Sequence, residues 1–274
     1  MLLSVRMDEA GTDGKSPCLT MGGFVGTIPD WNRFDIGWRK RLKRVGMDDF
    51  HATEFWENQT AAARKLSSDE KRQFARKLWE WQHRCLRFAI TSRLDNEAFE
   101  YYCTQRPAWL HRDSQFGLCF RLTVGIAIPQ AAKFFGDNVR MNFLLEQGHK
   151  NIGDAARIFS EIQSDTDVDF TRKLGTFSTG KRTTYPGLQA ADGIISTAQR
   201  IESKNKQVFS DVEPQATLSE LSTEKIPAPV LRAHFGNDII DRYIEGRARE
   251  RQEKHDSWLT RKAAKTASSV SSGE

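Results

Sequence analysis

The segment Gly187-Leu188-Gln189-Ala190-Ala191-Asp192-Gly193-Ile194-Ile195 sets a carboxylate into the apolar side of a short helix. With Pro186 as the first helical position, Leu188, Ala191, Ile195 and Ala198 recur at helical spacing and form one buried stripe. Asp192 falls at the edge of that stripe. Its neighbours three and four residues away are Leu188, Gln189, Ile195 and Ser196, so no Lys or Arg of the same helix can pair with it. A partly buried carboxylate without a partner is costly. The fold must therefore bring Asp192 a basic side chain or a metal ion from elsewhere.

Two strand-like runs also end in acids. Leu2–Gly11 is a β-type run closing in Asp8, Glu9 and a glycine turn signal. Alternation puts Leu3, Val5, Met7 and Glu9 on one face and Arg6 with Asp8 on the other. Taken alone, this segment is better read as a plain Asp8–Arg6 surface pair at a strand end. Val139–Glu146 is a second apolar run that ends in an acid, with Gly148 just beyond. The pattern is an acid at a first strand, an acid at a later strand end and an acid on a late helix.

These segments carry a resemblance. Met7-Asp8-Glu9-Ala10-Gly11, then Met21-Gly22-Gly23-Phe24, Asp49-Phe50-His51-Ala52-Thr53-Glu54-Phe55, Phe143-Leu144-Leu145-Glu146-Gln147-Gly148 and Tyr185–Ile195 together resemble the family named domain of unknown function 3800. That family is grouped with ribonuclease-H-like folds. The likeness runs from Met1 to about Lys204, motifs in order, and is most specific at the Asp8 strand and the Asp192 helix. Ala10 stands where the family usually has serine, and Glu146 where many relatives carry aspartate. The resemblance implies an α/β fold, a ribonuclease-H-like mixed sheet flanked by helices.

The pattern along the chain agrees with α/β layering. Cys18–Thr27 reads as a strand pairing with the first, Gly22 and Gly23 permitting a bulge or close backbone approach. A helix follows from about Trp31 to Val45, then a short extended piece over Asp49–Phe55. Ser67 with Glu70 signals a capping box for the helix carrying Phe74, Leu78, Trp81 and Cys85. Leu86–Leu94 reads as a strand, Asn96–Gln105 and Gln115–Phe135 as helices, Asn151–Ser164 as a helix and Thr171–Ser178 as extended. One domain over 1–245 is expected, with a charged C-terminal helix and a disordered Ser-rich tail over 246–274. Within 246–274 seven basic residues face four acidic ones.

No run approaches the apolar length of a membrane span, and no signal peptide is evident, so a cytoplasmic protein without membrane partners is expected. The four cysteines show no C-x-x-C spacing. A formal charge of +5 permits a polyanionic partner. The chain contains neither GxxxxGK[ST] nor a G-x-S-x-G elbow, which removes support for nucleotide-cofactor and serine-hydrolase readings.

Oxygen ligands from different elements suit Mg²⁺ or Mn²⁺ and can hold such ions against phosphate. Asp8, Glu146 and Asp192 are the expected metal ligands, with Glu54 a further catalytic acid and Glu9 set aside because alternation points it away from Asp8. His51 can orient water or shuttle a proton, or simply hydrogen-bond at a turn. Lys181 can reach a phosphate or pair with an acid, and Gln189 is a second substrate-binding candidate. Arg39–Arg44 is a dense basic run, read as a solvated face or a phosphate contact. The expectation is a metal-dependent nuclease or phosphodiester hydrolase with nucleic acid as partner. The alternatives are a non-catalytic nucleic-acid-binding or regulatory protein of the same fold, and an interaction module in which Asp192 pairs with Lys181 or Arg182.

Overall fold

The computed structural model describes residues 1–12, 16–164, 168–204 and 230–271. Six strands among them form one mixed sheet. Strands β1 (Leu2–Ala10), β2 (Cys18–Gly26) and β3 (Phe88–Asp95) make an antiparallel meander. Strand β4 (Arg140–Glu146) lies parallel to β1, and β5 (Leu174–Gly180) parallel to β4. With β6 (Val230–Phe235) the order is β5-β4-β1-β2-β3-β6. A three-stranded meander with parallel strands added beside its first strand is the ribonuclease-H-like arrangement, and the α/β fold is of that type.

Alternation along β1 assigns the two faces of the sheet. Ser4, Arg6 and Asp8 point to the layer built by α1 (Ile28–Arg44) and α9 (Pro186–Lys204): the Trp31 indole donates to the Ser4 carbonyl, and the Arg6 guanidinium lies 4.1 Å over the Trp31 ring. Leu3, Val5 and Met7 are fully buried on the other face. There Phe143, paired with Val5, packs against Phe120 of α6 (Gln115–Phe135) and Phe159 of α7 (Ile152–Gln163). The central strands are thus covered on both sides, and β2 is buried along its whole length. Gly22 and Gly23 permit the expected close approach. A Cβ at Gly23 would collide with the Arg6 carbonyl oxygen, and one at Gly22 with that of Ile90.

Helix α1 begins at Ile28, three residues earlier than the apolar periodicity indicates, because Thr27 and Asp30 form a capping box around Pro29. The Ser67/Glu70 box caps α4 (Ser68–Cys85) as expected. Asp49–Phe55 is not an extended piece: Ala52–Trp56 is a short helix, α2, followed by α3 (Ala61–Arg64). Helix α8 (Val168–Thr171) precedes β5.

Helix α6 corrects the expectation that no run reaches the apolar length of a span. Its 21 residues are long and apolar enough by length and composition. Half of its most apolar window is buried, and Arg121 within it is paired with Asp113 and Glu161.

The chain separates into two compact units, Met1–Asp95 with Asp113–His234, and Asn96–Arg112 with Phe235–Glu274. In the second, α5 (Asn96–Gln105) packs against α10 (Asn237–Ser271), the Tyr101 hydroxyl donating to Asp241 and Arg251 lying over Trp109. The boundary expected between residues 245 and 246 falls within α10. The helix continues through Ser271, into the Ser-rich tail expected to be disordered; residues 272–274 lie outside the described ones.

Candidate active site

The register of the parallel pair β1/β4 runs to Met7 opposite Leu145, and one further step sets Asp8 beside Glu146. Both carboxylates therefore stand at the carboxyl ends of adjacent parallel strands, where open α/β sheets bind ligands. Gly22 is the residue across from Asp8 on β2. Helix α9 crosses β1 and β2 and carries Asp192 to the same edge.

Asp8 and Asp192 are only 9% and 6% exposed. Burial, with the charges of Glu9, Asp192 and Glu146, holds the Asp8 carboxyl well above the usual carboxylate range. The Asp8–Arg6 pair does not form: Arg6 instead grips Asp35 at 2.7 Å. The Asp8 Oδ1 accepts a hydrogen bond from the Glu9 backbone N–H at 2.9 Å. Burial and the Glu146 charge push Glu9 up to about 7. Glu146 is raised by burial and by Asp192, against the opposing pull of Arg182 and His51. Asp8, Glu9, Glu146 and Asp192 thus feel one another's charge. Glu9 belongs to this group electrostatically, although strand alternation points it away: it stays paired with Met21 in β1 and still feels the Glu146 charge.

Asp192 solves its desolvation problem in a way that a search for basic partners misses. Its Oδ2 accepts from the Ala52 backbone N–H at 2.6 Å, and its Oδ1 from the Ser196 hydroxyl at 3.0 Å. Ala52 is the first residue of α2, whose N-cap His51 supplies no side-chain bond. The carboxylate serves as a remote cap for that helix.

Arg182, not Lys181, is the cation among the acids. It lies 3.3 Å from Glu54 and 3.8 Å from Asp49, which excludes the pairing of Asp192 with Arg182. Lys181 is exposed on the turn after β5. The His51 Nδ1 stands 3.4 Å from Glu54 without hydrogen-bond geometry. Gln189 is taken up by the fold rather than offered to a substrate. Its carbonyl oxygen accepts from the Trp38 indole at 2.8 Å and the Phe50 N–H at 3.0 Å, and its amide donates to the Arg182 carbonyl at 2.9 Å. Through it α9 fixes the segment that carries His51 and the turn that carries Arg182.

Among the described residues, no three His, Cys, Asp or Glu side chains are already disposed to hold an ion. The arrangement is a group of interacting carboxylates rather than a preassembled cage.

Among solved structures, the chain aligns with ribonuclease H2 from Pyrococcus horikoshii OT3 at 13% sequence identity, over 90% of this chain and 99% of that one, with a TM-score of 0.39. No family model matches the chain, and no curated protein matches it.

Proposed function

We propose that this chain is a divalent-metal-dependent nuclease or related phosphodiester hydrolase, with Asp8, Glu146 and Asp192 as the metal-holding carboxylates. One observation carries the reading: Asp8, Glu9, Glu146 and Asp192 gather at the carboxyl edge of β1 and β4, and no Lys or Arg among the described residues pairs with Asp8 or Asp192. Mutual repulsion of buried acids is a cost that a bound cation removes. The donor set is all oxygen, which fits Mg²⁺ or Mn²⁺ rather than a thiophilic metal. The likeness of five motifs to domain of unknown function 3800 supports the same assignment of residues.

When bound there, such an ion would activate water and stabilise the leaving oxygen of a phosphodiester. The chain's own groups do the rest. Asp192 keeps one oxygen on the Ala52 N–H and so has its carboxylate plane fixed. Arg182 neutralises Glu54 and Asp49 at the rim. His51 stands where it can hold or pass a proton beside Glu54.

The test is calorimetric titration of the full chain with Mn²⁺, in wild type and in Asp8→Asn and Asp192→Asn, followed by cleavage assays on labelled DNA and RNA. Binding lost in both variants, together with metal-dependent cleavage, is the expected result. Binding indifferent to both substitutions overturns the reading. A second reading, a nucleic-acid-binding protein of this fold without turnover, is favoured by the lack of a preassembled three-ligand group among the described residues. It predicts oligonucleotide binding without cleavage in Mn²⁺.

A further inference from the structure

Helix α1 turns a stripe of Ile36, Arg39, Lys40, Lys43 and Arg44 to solvent on a shallow, open surface. The spacing is that of one helix face, opposite the buried face of Trp31, Phe34, Trp38 and Leu42. The two acids of α1 are drawn away from it: Asp30 pairs with Arg87, and Asp35 with Arg6. Lys40, Lys43 and Arg44 have no carboxylate partner among the described residues. Part of the charge on the other exposed helices is neutralised within the helix. On α4, Arg72 pairs with Asp69 and Arg76 with Glu80; on α10, Arg242 pairs with Asp238 and Arg247 with Glu250.

Like charges three and four residues apart weaken a helix by about 0.2–0.5 kcal/mol per pair. The helix dipole favours cations in the last turn, which accounts for Lys43 and Arg44 but not for Arg39 and Lys40. The stripe also touches the site. Arg39 donates to the Thr184 carbonyl at 2.8 Å, in the turn that holds Arg182 against Glu54.

We propose that this stripe is the track for a nucleic-acid backbone, with Lys40, Lys43 and Arg44 taking phosphates and Arg39 registering the track to the acid group. The inference rests on the nucleic-acid reading above and names the surface that reading lacks. A phosphate chain fits a row of cations repeated at one helical turn. An anionic membrane fits less well: the apolar face of α1 is already buried in the core, which leaves Ile36 as the exposed apolar member of the stripe.

The test is fluorescence anisotropy of the full chain with a short fluorescein-labelled DNA duplex and with the RNA–DNA hybrid of the same sequence, in Ca²⁺ and across a salt series. The variants are Lys40→Gln/Lys43→Gln and, as a control of equal charge change, Arg72→Gln/Arg76→Gln on α4. The stripe variant is expected to bind roughly tenfold more weakly, with the salt slope reduced by almost two, while the α4 control binds as wild type. Equal weakening in both variants, or wild-type binding by the stripe variant, overturns the proposal. If the stripe variant binds as wild type while Asp8→Asn abolishes Mn²⁺ binding, the track fails and the metal reading stands. If wild type binds neither probe, the track and the nucleic-acid reading fail together. Stripe-dependent binding to phosphatidylserine vesicles without binding to either probe would also overturn it.

Discussion

Asp192 on α9 caps Ala52 on α2: a carboxylate oxygen and a backbone amide 140 residues apart in sequence meet at 2.6 Å. This bond fixes the short helix bearing Glu54 to the long helix that covers β1 and β2. It also gives Asp192 two duties, one to the fold and one in the proposed metal site.

The two duties separate by substitution. Asp192→Asn keeps an acceptor for the Ala52 amide and is expected to cost under about 1 kcal/mol in urea denaturation, while abolishing Mn²⁺ binding. Asp192→Ala leaves that buried amide unsatisfied and is expected to cost on the order of 1–3 kcal/mol. Equal stability losses in both variants would contradict the capping role.

The acid group makes stability depend on pH in a defined direction. Glu9 holds its proton up to about pH 7 in the folded chain, against an ordinary value of 4.5. Between those values the native state binds more protons than the unfolded one, so stability falls as pH rises. Asp8, raised for the same reasons, adds to the fall. Chemical denaturation without divalent metal is expected to show a loss of a few kcal/mol from about pH 4.5 to 7.5. Glu9→Gln should flatten that profile, and a flat profile in the wild type would refute the buried, mutually repelling arrangement.

Gln189 is expected to matter for folding alone. Gln189→Leu strands the Trp38 indole N–H, the Phe50 amide and the Arg182 carbonyl, at a cost of about 2–5 kcal/mol. Urea denaturation followed by tryptophan fluorescence reads this directly. A variant as stable as wild type would show that these groups find other partners.

Arg182 acts on Glu146, one of the three carboxylates proposed to hold the metal. Arg182→Met is expected to tighten Mn²⁺ binding at pH 8 by roughly three- to tenfold, because a positive charge close to Glu146 is removed. Calorimetry measures it, and weakened binding would assign Arg182 a supporting role in the site instead.

Local signals in the sequence were enough for much of the scaffold. The helices expected around Asn96–Gln105 and Gln115–Phe135 are present, and the Ser67/Glu70 capping box starts α4. The three principal acids fall on the elements expected of them. The failures are non-local. Helix α2 is five residues long and takes its N-terminal acceptor from Asp192, so nothing near Asp49–Phe55 marks it as helical. The partners of Asp192 were sought among cations, whereas it uses an amide and a hydroxyl. Strand alternation says which face Glu9 takes but not that the Glu146 charge on the neighbouring strand reaches it. Lys181 and Arg182 are adjacent, and only the turn after β5 decides which of them reaches Glu54.

The short bond from Ala52 to Asp192 has a spectroscopic consequence. An amide hydrogen held by a buried carboxylate is strongly deshielded, so the Ala52 resonance should stand apart from the crowded amide region of a ¹⁵N correlation spectrum. It should also exchange slowly with deuterated solvent. Any cation that draws charge from Asp192 weakens that bond and moves the peak upfield. For the proposed metal site, the Ala52 resonance is thus an indicator of occupancy, readable without substrate and without turnover.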